Sequence, residues 1–310
     1  MNVKNWFKSD DSMAKPLQKG KTLFILALVT IPILNFIVFW VIVNINSFVL
    51  AFQVYDRTTK SYFLSLGQFT TVFTDLSNGM DGELLPAFFN TMIYFWVNLL
   101  VVLPFSYLVS YFLYKKIKFY GFFRVIFFMP SIISSVVLVA VYKNFLLPGG
   151  VVDSVVRACG GTLPNFLNTH DGATGMMLGF VIWSGFGVNV VLYQSAMKRI
   201  PDSVIEAAKL DGVGMWREIF QIVTPLVWST IMTTLTLAIS AFLTASGPIL
   251  LFTEGTQNTS TISFYIWWIV YKKSQHNYGA AIGIICSIIS MPIVFGSRWL
   301  LSKVFENVEY

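Results

Sequence analysis

The chain has 310 residues, of which 55% are hydrophobic and only 12% are charged. This composition does not suit a water-solvated surface, so it excludes an ordinary soluble protein and indicates a chain whose solvent is mostly lipid. A net charge of +6 would suggest a nucleic-acid partner in a soluble protein. In a membrane protein the positions of the basic residues matter more, because they set the topology, and we expect no nucleic-acid partner.

The N-terminal part of the chain changes character near residue 23. Residues 1–22 carry five lysines among polar residues and show no apolar period, which predicts a basic tail. The apolar run from Leu23 to Phe52 is longer than the hydrophobic segment of a cleaved signal peptide and predicts the first membrane span. Pro32 lies inside this run and predicts either a kink or a division between the span and an interfacial turn.

Uncharged apolar stretches recur five more times along the chain, and each is long enough to cross a bilayer. They are Leu84–Tyr114, Val125–Tyr142, Gly172–Met197, Ile219–Thr253 and Asn277–Ser297. A shorter stretch, Ile262–Tyr271, is rich in aromatic residues and precedes two lysines, a pattern typical of an interfacial helix. The predicted fold class is therefore an all-α integral membrane protein with six transmembrane helices.

Basic residues are distributed unequally between the two sides of these spans. With the N-terminus inside, fifteen of the 21 Lys and Arg residues fall on the inner side and six on the outer side. Positive residues accumulate on the cytoplasmic side, so the bias predicts that both termini are cytoplasmic. Residues 23–301 then form the membrane domain, residues 198–226 a cytoplasmic loop within it, and residues 302–310 a cytoplasmic tail.

The loop between the fourth and fifth spans has a pattern of its own. Pro201 suits the first turn of a helix, and Gly212 is expected to end that helix in the left-handed conformation. A second short helix with Trp216 and Phe220 on one side follows. We call this predicted helix pair, residues 201–225, the knob.

One side of the knob is predicted to suit a protein partner. Ala207 and Ala208 are expected to give it a flat face of small side chains, and Glu206 a charge for a basic group of the partner. The plain alternative is an ordinary amphipathic loop.

The knob resembles the EAA signature of the permease subunits of binding-protein-dependent ABC importers. The positions that match its spacing are Glu206, Ala207, Ala208, Gly212, Ile222 and Pro225. Thr224 stands where the family usually has leucine, which predicts different packing at the start of the next span. The resemblance implies that these matching residues, together with Asp211, couple the chain to an ATPase.

Other segments resemble the carbohydrate branch of these permeases, particularly the larger permease of maltose-type transporters. They are Phe88-Phe89-Asn90-Thr91, Phe123-Arg124, Met129-Pro130-Ser131, Trp183 and Met197-Lys198-Arg199-Ile200-Pro201. This branch commonly shows Gly-Gly-Pro after the fifth span, where the present chain has Glu254-Gly255-Thr256-Gln257.

The resemblance implies the type I ABC importer permease fold in the cytoplasmic membrane of a prokaryote. The implied partners are a second permease, two ATPase subunits that bind ATP and Mg²⁺, an extracellular solute-binding protein and a sugar, with an oligosaccharide expected in this branch. Membrane lipid surrounds such a subunit.

Catalytic patterns are missing from the sequence. Gly20-Lys21-Thr22 ends like a nucleotide-binding loop, but Lys15 stands where the first glycine of that loop belongs. The two histidines and two cysteines have no metal-ligand spacing. We therefore expect a transport subunit that is not an enzyme, has no metal site and carries no cofactor of its own.

Polar and aromatic residues within the spans are candidates for a solute path. Trp183, Asn189 and Tyr193 share one face of the fourth span, and a similar stripe runs along the second. The full set is Trp183, Asn189, Tyr193, Asn90, Tyr94, Asn98, Ser240 and Thr244. Rings and amides suit a sugar, but the same residues also suit hydrogen bonds between helices, and the sequence leaves both roles open.

Three other functions compete with a sugar permease. The chain is alternatively an ABC permease for another polar solute, an ATP-independent secondary carrier, or a membrane scaffold. The six uncharged stretches contain no Asp, Glu, Lys, Arg or His, whereas ion-coupled carriers usually need an ionisable group at depth. A scaffold would not explain the knob, so the sequence favours the ABC permease.

Overall fold

The computed structural model describes residues 19–56 and 61–304, and this part of the chain is mostly helical. The longer helices are α1 (Lys19–Phe36, continued by π-helical Ile37–Ile42 and by Val43–Phe52), α2 (Gly67–Ser77), α3 (Leu84–Val97, π-helical Asn98–Val102 and Leu103–Tyr114), α4 (Tyr120–Ile132), α5 (Ser135–Leu146), α6 (Val151–Ala158), α7 (His170–Met197), α8 (Asp202–Leu210), α9 (Met215–Arg217, π-helical Glu218–Val223 and Thr224–Leu226), α10 (Trp228–Ser240), α11 (Ile249–Phe252), α12 (Ile262–Tyr271) and α13 (His276–Leu301). Short 3₁₀ turns cover Gly79–Asp81 and Phe166–Asn168.

A small β-hairpin departs from the predicted all-α architecture. Strands β1 (Gln53–Asp56) and β2 (Ser61–Leu64) pair antiparallel, with Gln53 opposite Leu64. The hairpin begins where the apolar run of α1 ends. The Asn277 amide at the start of α13 donates a hydrogen bond to the Gln53 carbonyl (2.9 Å), so the hairpin is attached to the helical domain.

Five helical segments of the described chain are long and apolar enough to cross a membrane. They are Phe24–Phe52, Leu84–Tyr114, Ser135–Ala158, His170–Met197 and His276–Leu301, and the bent pair α9 and α10 makes a sixth if it counts as one span. This number agrees with the six predicted spans. The predicted cytoplasmic position of both termini is not tested by the fold.

The third predicted span, Val125–Tyr142, is wrong in its bounds. The structure places two helices there, α4 and α5, separated by Ile133 and Ser134 in extended conformation. Pro130 lies in the last turn of α4, where it lacks the N–H that a continuous helix uses. Hydropathy does not reveal this break, because the residues at the break are as apolar as those beside it.

The fifth predicted span, Ile219–Thr253, is also wrong in its bounds. Helix α9 is bent by 81° relative to α10, and α10 ends at Ser240. The Trp228 indole at the start of α10 donates to the Leu301 carbonyl at the end of α13 (3.2 Å). Helix α12 packs on the opposite end of α13 and is joined to it by the short turn 272–275. Helices α10 and α12 therefore lie along the two halves of α13, and residues 241–261, the inserted segment, lie between them.

The ten-residue helix Ile262–Tyr271 is confirmed with its predicted bounds. Its Ile262, Tyr265 and Ile269 are buried against α13 and the start of α3. Its position in the membrane interface stays a prediction, and Tyr271 at its end is exposed. The Thr261 hydroxyl caps its N-terminus.

The predicted tails lie mostly outside the described residues. Helix α1 begins at Lys19, four residues before the predicted span, and residues 1–18 lie outside the described part. At the other end, 302–304 form a turn after α13, and 305–310 lie outside it.

Helix α7 lies at the centre of the fold and packs against both α3 and α4. Glycines allow this close contact: a Cβ at Gly185 would come within 3.1 Å of Val102, and one at Gly187 within 2.8 Å of Ser131. The Ser110 hydroxyl donates to the Val190 carbonyl (3.1 Å), a hydrogen bond between α3 and α7. Small residues and hydroxyls of this kind hold membrane helices together.

Candidate functional site

The knob folds as the sequence predicts around Gly212. Helix α8 ends in a Schellman motif, in which the Val213 N–H donates to the Ala208 carbonyl (3.0 Å) and the Gly212 N–H to the Lys209 carbonyl (3.1 Å). Gly212 has φ +69°, a conformation that residues with a Cβ rarely adopt. Asp202 lies in the first turn of α8, where negative charge is favourable.

The exposed face of the knob differs from the predicted one at Ala208. Ala207 is exposed, but Ala208 is 6% exposed and shares the inward face with Ile205, three residues earlier. Two consecutive helical residues point about 100° apart and cannot share the centre of one face. The prediction of an Ala207/Ala208 face is therefore corrected: the small exposed side chain is Ala207 alone.

A large apolar side chain missed by sequence reasoning lies on this face. Leu210 is 89% exposed, next to the exposed Glu206 and Asp211. Trp216 and Phe220 of α9 are also more than half exposed, and their rings stack with centroids 6.1 Å apart. The exposed face therefore combines the carboxylates of Glu206 and Asp211 with an apolar surface, an arrangement that suits a protein partner.

The inner side of the knob is anchored by a buried ion pair. Glu218 of α9 pairs with Lys115 at the end of α3, and their side chains are 7% and 25% exposed. Ile219 and Val223 of the same helix are fully buried in a cluster with Met197 of α7. Ile222 packs against this cluster and Pro225 is half-buried, so these two signature residues position the knob from inside.

Thr224, the departure from the signature, has a defined hydrogen-bond partner. Its hydroxyl pairs with the Tyr107 hydroxyl of α3 (2.8 Å) and donates to the Ile219 carbonyl (2.8 Å). Tyr107 stands edge-on to Tyr193 of α7, with ring centroids 5.5 Å apart. Thr224 therefore joins α9 to the second span through a polar contact that leucine would not make.

The predicted solute residues of the second span bind the inserted segment. The Asn90 amide donates to the carbonyls of Asn258 (2.7 Å) and Ser260 (2.9 Å). Tyr94 is buried, and a Cβ at Gly247 would come within 2.8 Å of its ring. Asn90 and Tyr94 are thus enclosed within the chain, which corrects their predicted place on an open path.

Asn98 lies in the π-helical part of α3 and is half-buried. It is the member of the second-span stripe that keeps an open surface.

The fourth span keeps two of its three predicted residues accessible. Tyr193 is 2% exposed, and its hydroxyl pairs with the Thr234 hydroxyl of α10 (2.6 Å), so its predicted place facing the cavity is corrected to a contact between helices. Asn189 is half-buried and its amide donates to the Gly185 carbonyl (3.3 Å). Trp183 is partly exposed and stacks on Tyr142 (5.8 Å).

Ser240 and Thr244 flank the end of α10 and are exposed. The Ser240 hydroxyl donates to the Leu237 carbonyl (2.6 Å), and the Thr244 carbonyl accepts from Ser263 (3.1 Å). Trp183, Asn189, Asn98, Ser240 and Thr244 therefore remain the accessible members of the predicted path.

The inserted segment contains the unusual Glu254–Gln257 sequence and an unusual backbone. Glu254, Gly255, Gln257 and Asn258 all have positive φ. Buried threonine hydroxyls hold this conformation, with Thr253 and Thr259 paired at 2.7 Å. The N–H of Ile262, the first residue after the segment, donates to the Thr91 hydroxyl (2.9 Å), so α3 holds the end of the segment through Thr91 as well as through Asn90.

Comparisons with known proteins agree with this fold. The family model described as "Binding-protein-dependent transport system inner membrane component" matches residues 93–306. The multiple sugar-binding transport system permease protein MsmF of Streptococcus mutans is 31% identical over 198 residues, which cover 62% of this chain and 66% of that protein, just under two thirds. The polygalacturonan/rhamnogalacturonan transport system permease protein YteP of Bacillus subtilis is 25% identical over 275 residues, 84% of this chain and 83% of that protein.

The fold is also similar to a solved structure. A chain of the bacterial alginate ABC transporter in complex with alginate pentasaccharide-bound periplasmic protein has a TM-score of 0.80 at 21% identity, over 94% of this chain and 98% of that one. This likeness shows the fold, whereas the family model extends over most of the chain. The chain is a non-catalytic, multi-pass membrane subunit and belongs to the family of inner membrane components of binding-protein-dependent transport systems.

Proposed function

We propose that the chain pairs with a second permease to form the path of an ATP-driven importer and takes up an oligosaccharide from an extracellular binding protein. Two cytoplasmic ATPase subunits, which hold ATP and Mg²⁺, drive the cycle. The observation that carries the coupling role is the exposed face of the knob, with Glu206, Ala207 and Leu210 on a helix that is anchored from behind by the Lys115–Glu218 pair.

The chemistry of the knob suits an ATPase groove. Full burial of a leucine side chain is favourable by roughly 1.5–3 kcal/mol. Because Leu210 is exposed in the isolated chain, its burial against a partner would add this free energy to binding. Glu206 adds selectivity, because its carboxylate must meet a basic group when water is removed. The fixed packing of α9 behind this face lets a displacement of the knob reach α10 and the inserted segment.

The sugar assignment is supported by the relatives and by the accessible residues. MsmF and YteP carry sugar and polygalacturonan/rhamnogalacturonan transport in their names, and the solved structure carries alginate. Trp183 offers a ring for the apolar face of a sugar, and Asn189 an amide for its hydroxyl groups. A permease for another polar solute is the alternative.

The coupling role is tested by Glu206→Gln and Leu210→Asn. Truncating one member of a desolvated charge pair costs about 2–5 kcal/mol, so Glu206→Gln is expected to weaken ATPase binding by well over about tenfold. Copurification of the ATPase with the permease and substrate-stimulated ATP hydrolysis measure this loss at equal membrane abundance.

Asp202→Asn is the matched control, because it also neutralises an exposed carboxylate on α8, one turn earlier. We expect it to leave ATPase binding unchanged. Normal binding in both Glu206→Gln and Leu210→Asn would remove the coupling role of the knob.

The solute path is tested by Asn189→Ala and Trp183→Ala. Each removes a contact that is comparable with one net hydrogen bond, so uptake is expected to fall about two- to tenfold at subsaturating solute, with normal membrane abundance. Uptake of labelled oligosaccharides over a range of concentrations measures the apparent KM.

Val188→Ala, at an exposed neighbour on α7, and Tyr193→Phe, which removes only the hydroxyl bonded to Thr234, serve as controls. Both are expected to leave the KM unchanged, and Tyr193→Phe to lower only the thermal stability. A KM that rises with Tyr193→Phe but not with Asn189→Ala would mean that Tyr193, and not Asn189, contacts the solute.

A further inference from the structure

A basic cavity lies beside the knob, at the ends of α3 and α7. It has a volume of about 590 Å³ and is bordered by the α3–α4 turn, the end of α7 and the inner side of α8. Its basic lining residues are Lys115, Lys116, Arg124, Lys198 and Lys209. Asp202 is its one lining carboxylate among the described residues.

Most of the positive charge in this cavity is uncompensated within the described chain. Lys115 is paired with Glu218, whereas no ion pair of the described residues involves Lys116, Arg124, Lys198 or Lys209. Cations held around one cavity repel one another, so an anion that enters it is attracted by all of them.

A buried amide in the same cavity is a second, independent observation. Gln194 of α7 is 3% exposed, and its side-chain amide, which makes no hydrogen bond within the described part of the chain, opens into the cavity that it lines. Because its atoms reach the cavity, this amide is able to bond to a ligand or a water that enters there. The Gln194 NH₂ group is a donor for an anionic oxygen.

We propose that this cavity is a binding site for a phosphate group. A phosphate offers several strong acceptor oxygens, which suit the combination of Arg124, several lysine ammonium groups and the Gln194 amide. Its ligand is in contact with α3, α7 and α8 together, so its binding stabilises the position of the knob against the spans. The site is independent of the proposed solute path, and only its assignment to the cytoplasmic leaflet rests on the proposed function.

Two sources can supply this phosphate, an anionic phospholipid and a free phosphate compound. Phe119 and Phe122, at the rim beside Tyr120 and Arg124, are 67% and 64% exposed, so an acyl chain has apolar surface next to the cavity. Basic pockets between membrane helices are known lipid headgroup sites. The experiment therefore has one arm for each source.

The test uses the purified full-length chain in a neutral, delipidated detergent micelle. The lipid arm compares phosphatidylglycerol with phosphatidylcholine by native mass spectrometry, and the soluble arm compares inorganic phosphate with chloride and galacturonate at equal ionic strength by thermal shift. We expect preferential binding of phosphatidylglycerol, of inorganic phosphate, or of both. Arg124→Gln/Lys198→Gln is expected to weaken it by about tenfold or more, since two charge-assisted contacts are removed.

Arg298→Gln/Lys303→Gln is the matched control. It removes the same two charge types from exposed positions at the end of α13, outside the cavity lining. Gln194→Leu keeps all charges and removes only the amide, and it is also expected to weaken binding. Uptake is not measured, so a failure of this proposal leaves the coupling role of the knob untouched.

Three results would overturn the proposal. The first is no preference for phosphatidylglycerol or phosphate over their comparison compounds. The second is an equal loss of binding in the cavity variant and the α13 control, which would mean general attraction by surface charge. The third is equal protection by galacturonate and phosphate, which would make the cavity a general anion site.

Discussion

Gly212→Val is expected to lower ATP-driven uptake strongly, while Gly214→Val leaves it nearly normal. At both positions a Cβ would have no other atom within 4 Å, so space does not distinguish them. The backbone does: Gly212 has φ +69°, whereas Gly214 is extended at φ −73° and ψ 160°. The pair therefore isolates the effect of the left-handed turn.

The expected size of this effect follows from backbone strain. A left-handed conformation costs a residue with a Cβ roughly 1–2 kcal/mol, and a β-branched side chain is at the high end. That energy lowers the ratio of the native turn to other conformations about five- to thirtyfold. The chain after Ala208 then takes another direction and separates α8 from α9, so the exposed face is lost.

The measurement is uptake together with ATPase copurification, at membrane abundance equal to that of the unmodified protein. Gly212→Ala has the backbone strain without the β-branch, so its uptake is expected to lie between those of the two valine variants. Equal uptake in Gly212→Val and Gly214→Val would show that the closed turn is not needed for coupling.

Among the single substitutions proposed here, removal of the Lys115 ammonium is expected to cause the largest loss of stability. Lys115→Met leaves the Glu218 carboxylate, whose side chain is 7% exposed, without its cation. Breaking one member of a buried ion pair typically costs about 3–5 kcal/mol, because a charge remains buried and uncompensated. The melting temperature of the protein in detergent is expected to fall markedly.

A second substitution separates this effect from lost packing. Lys115→Met/Glu218→Gln removes both charges and is expected to recover most of the melting temperature, as neutral replacements of buried pairs commonly do. Lys273→Met is the control, because Lys273 pairs with Glu83 at 3.4 Å with both side chains exposed, and such pairs contribute only about 0–1 kcal/mol. A Lys115→Met variant as stable as the Lys273→Met control would mean that Glu218 does not depend on the ion pair.

In the knob, the local sequence was sufficient to predict where the helices begin and end. The end of α8 at Gly212 depends on one residue that tolerates positive φ, and the start of α8 follows Pro201 with Asp202 in its first turn. These features depend on neighbouring residues, so they can be predicted from the sequence without the fold. The buried position of Ala208 depends instead on which face of α8 meets the cluster of Ile205, Ile219 and Met197.

The spans show the same division. Apolar length predicted how many times the chain is able to cross a membrane, because the bilayer thickness sets that length. It did not predict the break at Ile133 and Ser134, nor that α10 and α12 lie along the two halves of α13. Those features come from helix packing and from hydrogen bonds between distant residues, such as Trp228 with Leu301.

By itself, the sequence determined that the chain is a multi-pass helical membrane protein with a glycine-turned knob between two of its spans, because composition, apolar length and turn chemistry act locally. Only the tertiary structure decided which polar side chains are enclosed and which are open. Asn90 and Tyr193 have the residue types of a solute site, but one holds the inserted segment and the other pairs with Thr234. The lining of the cavity around Gln194 likewise comes from α3, α4, α7 and α8, whose ends meet only after the helices have packed.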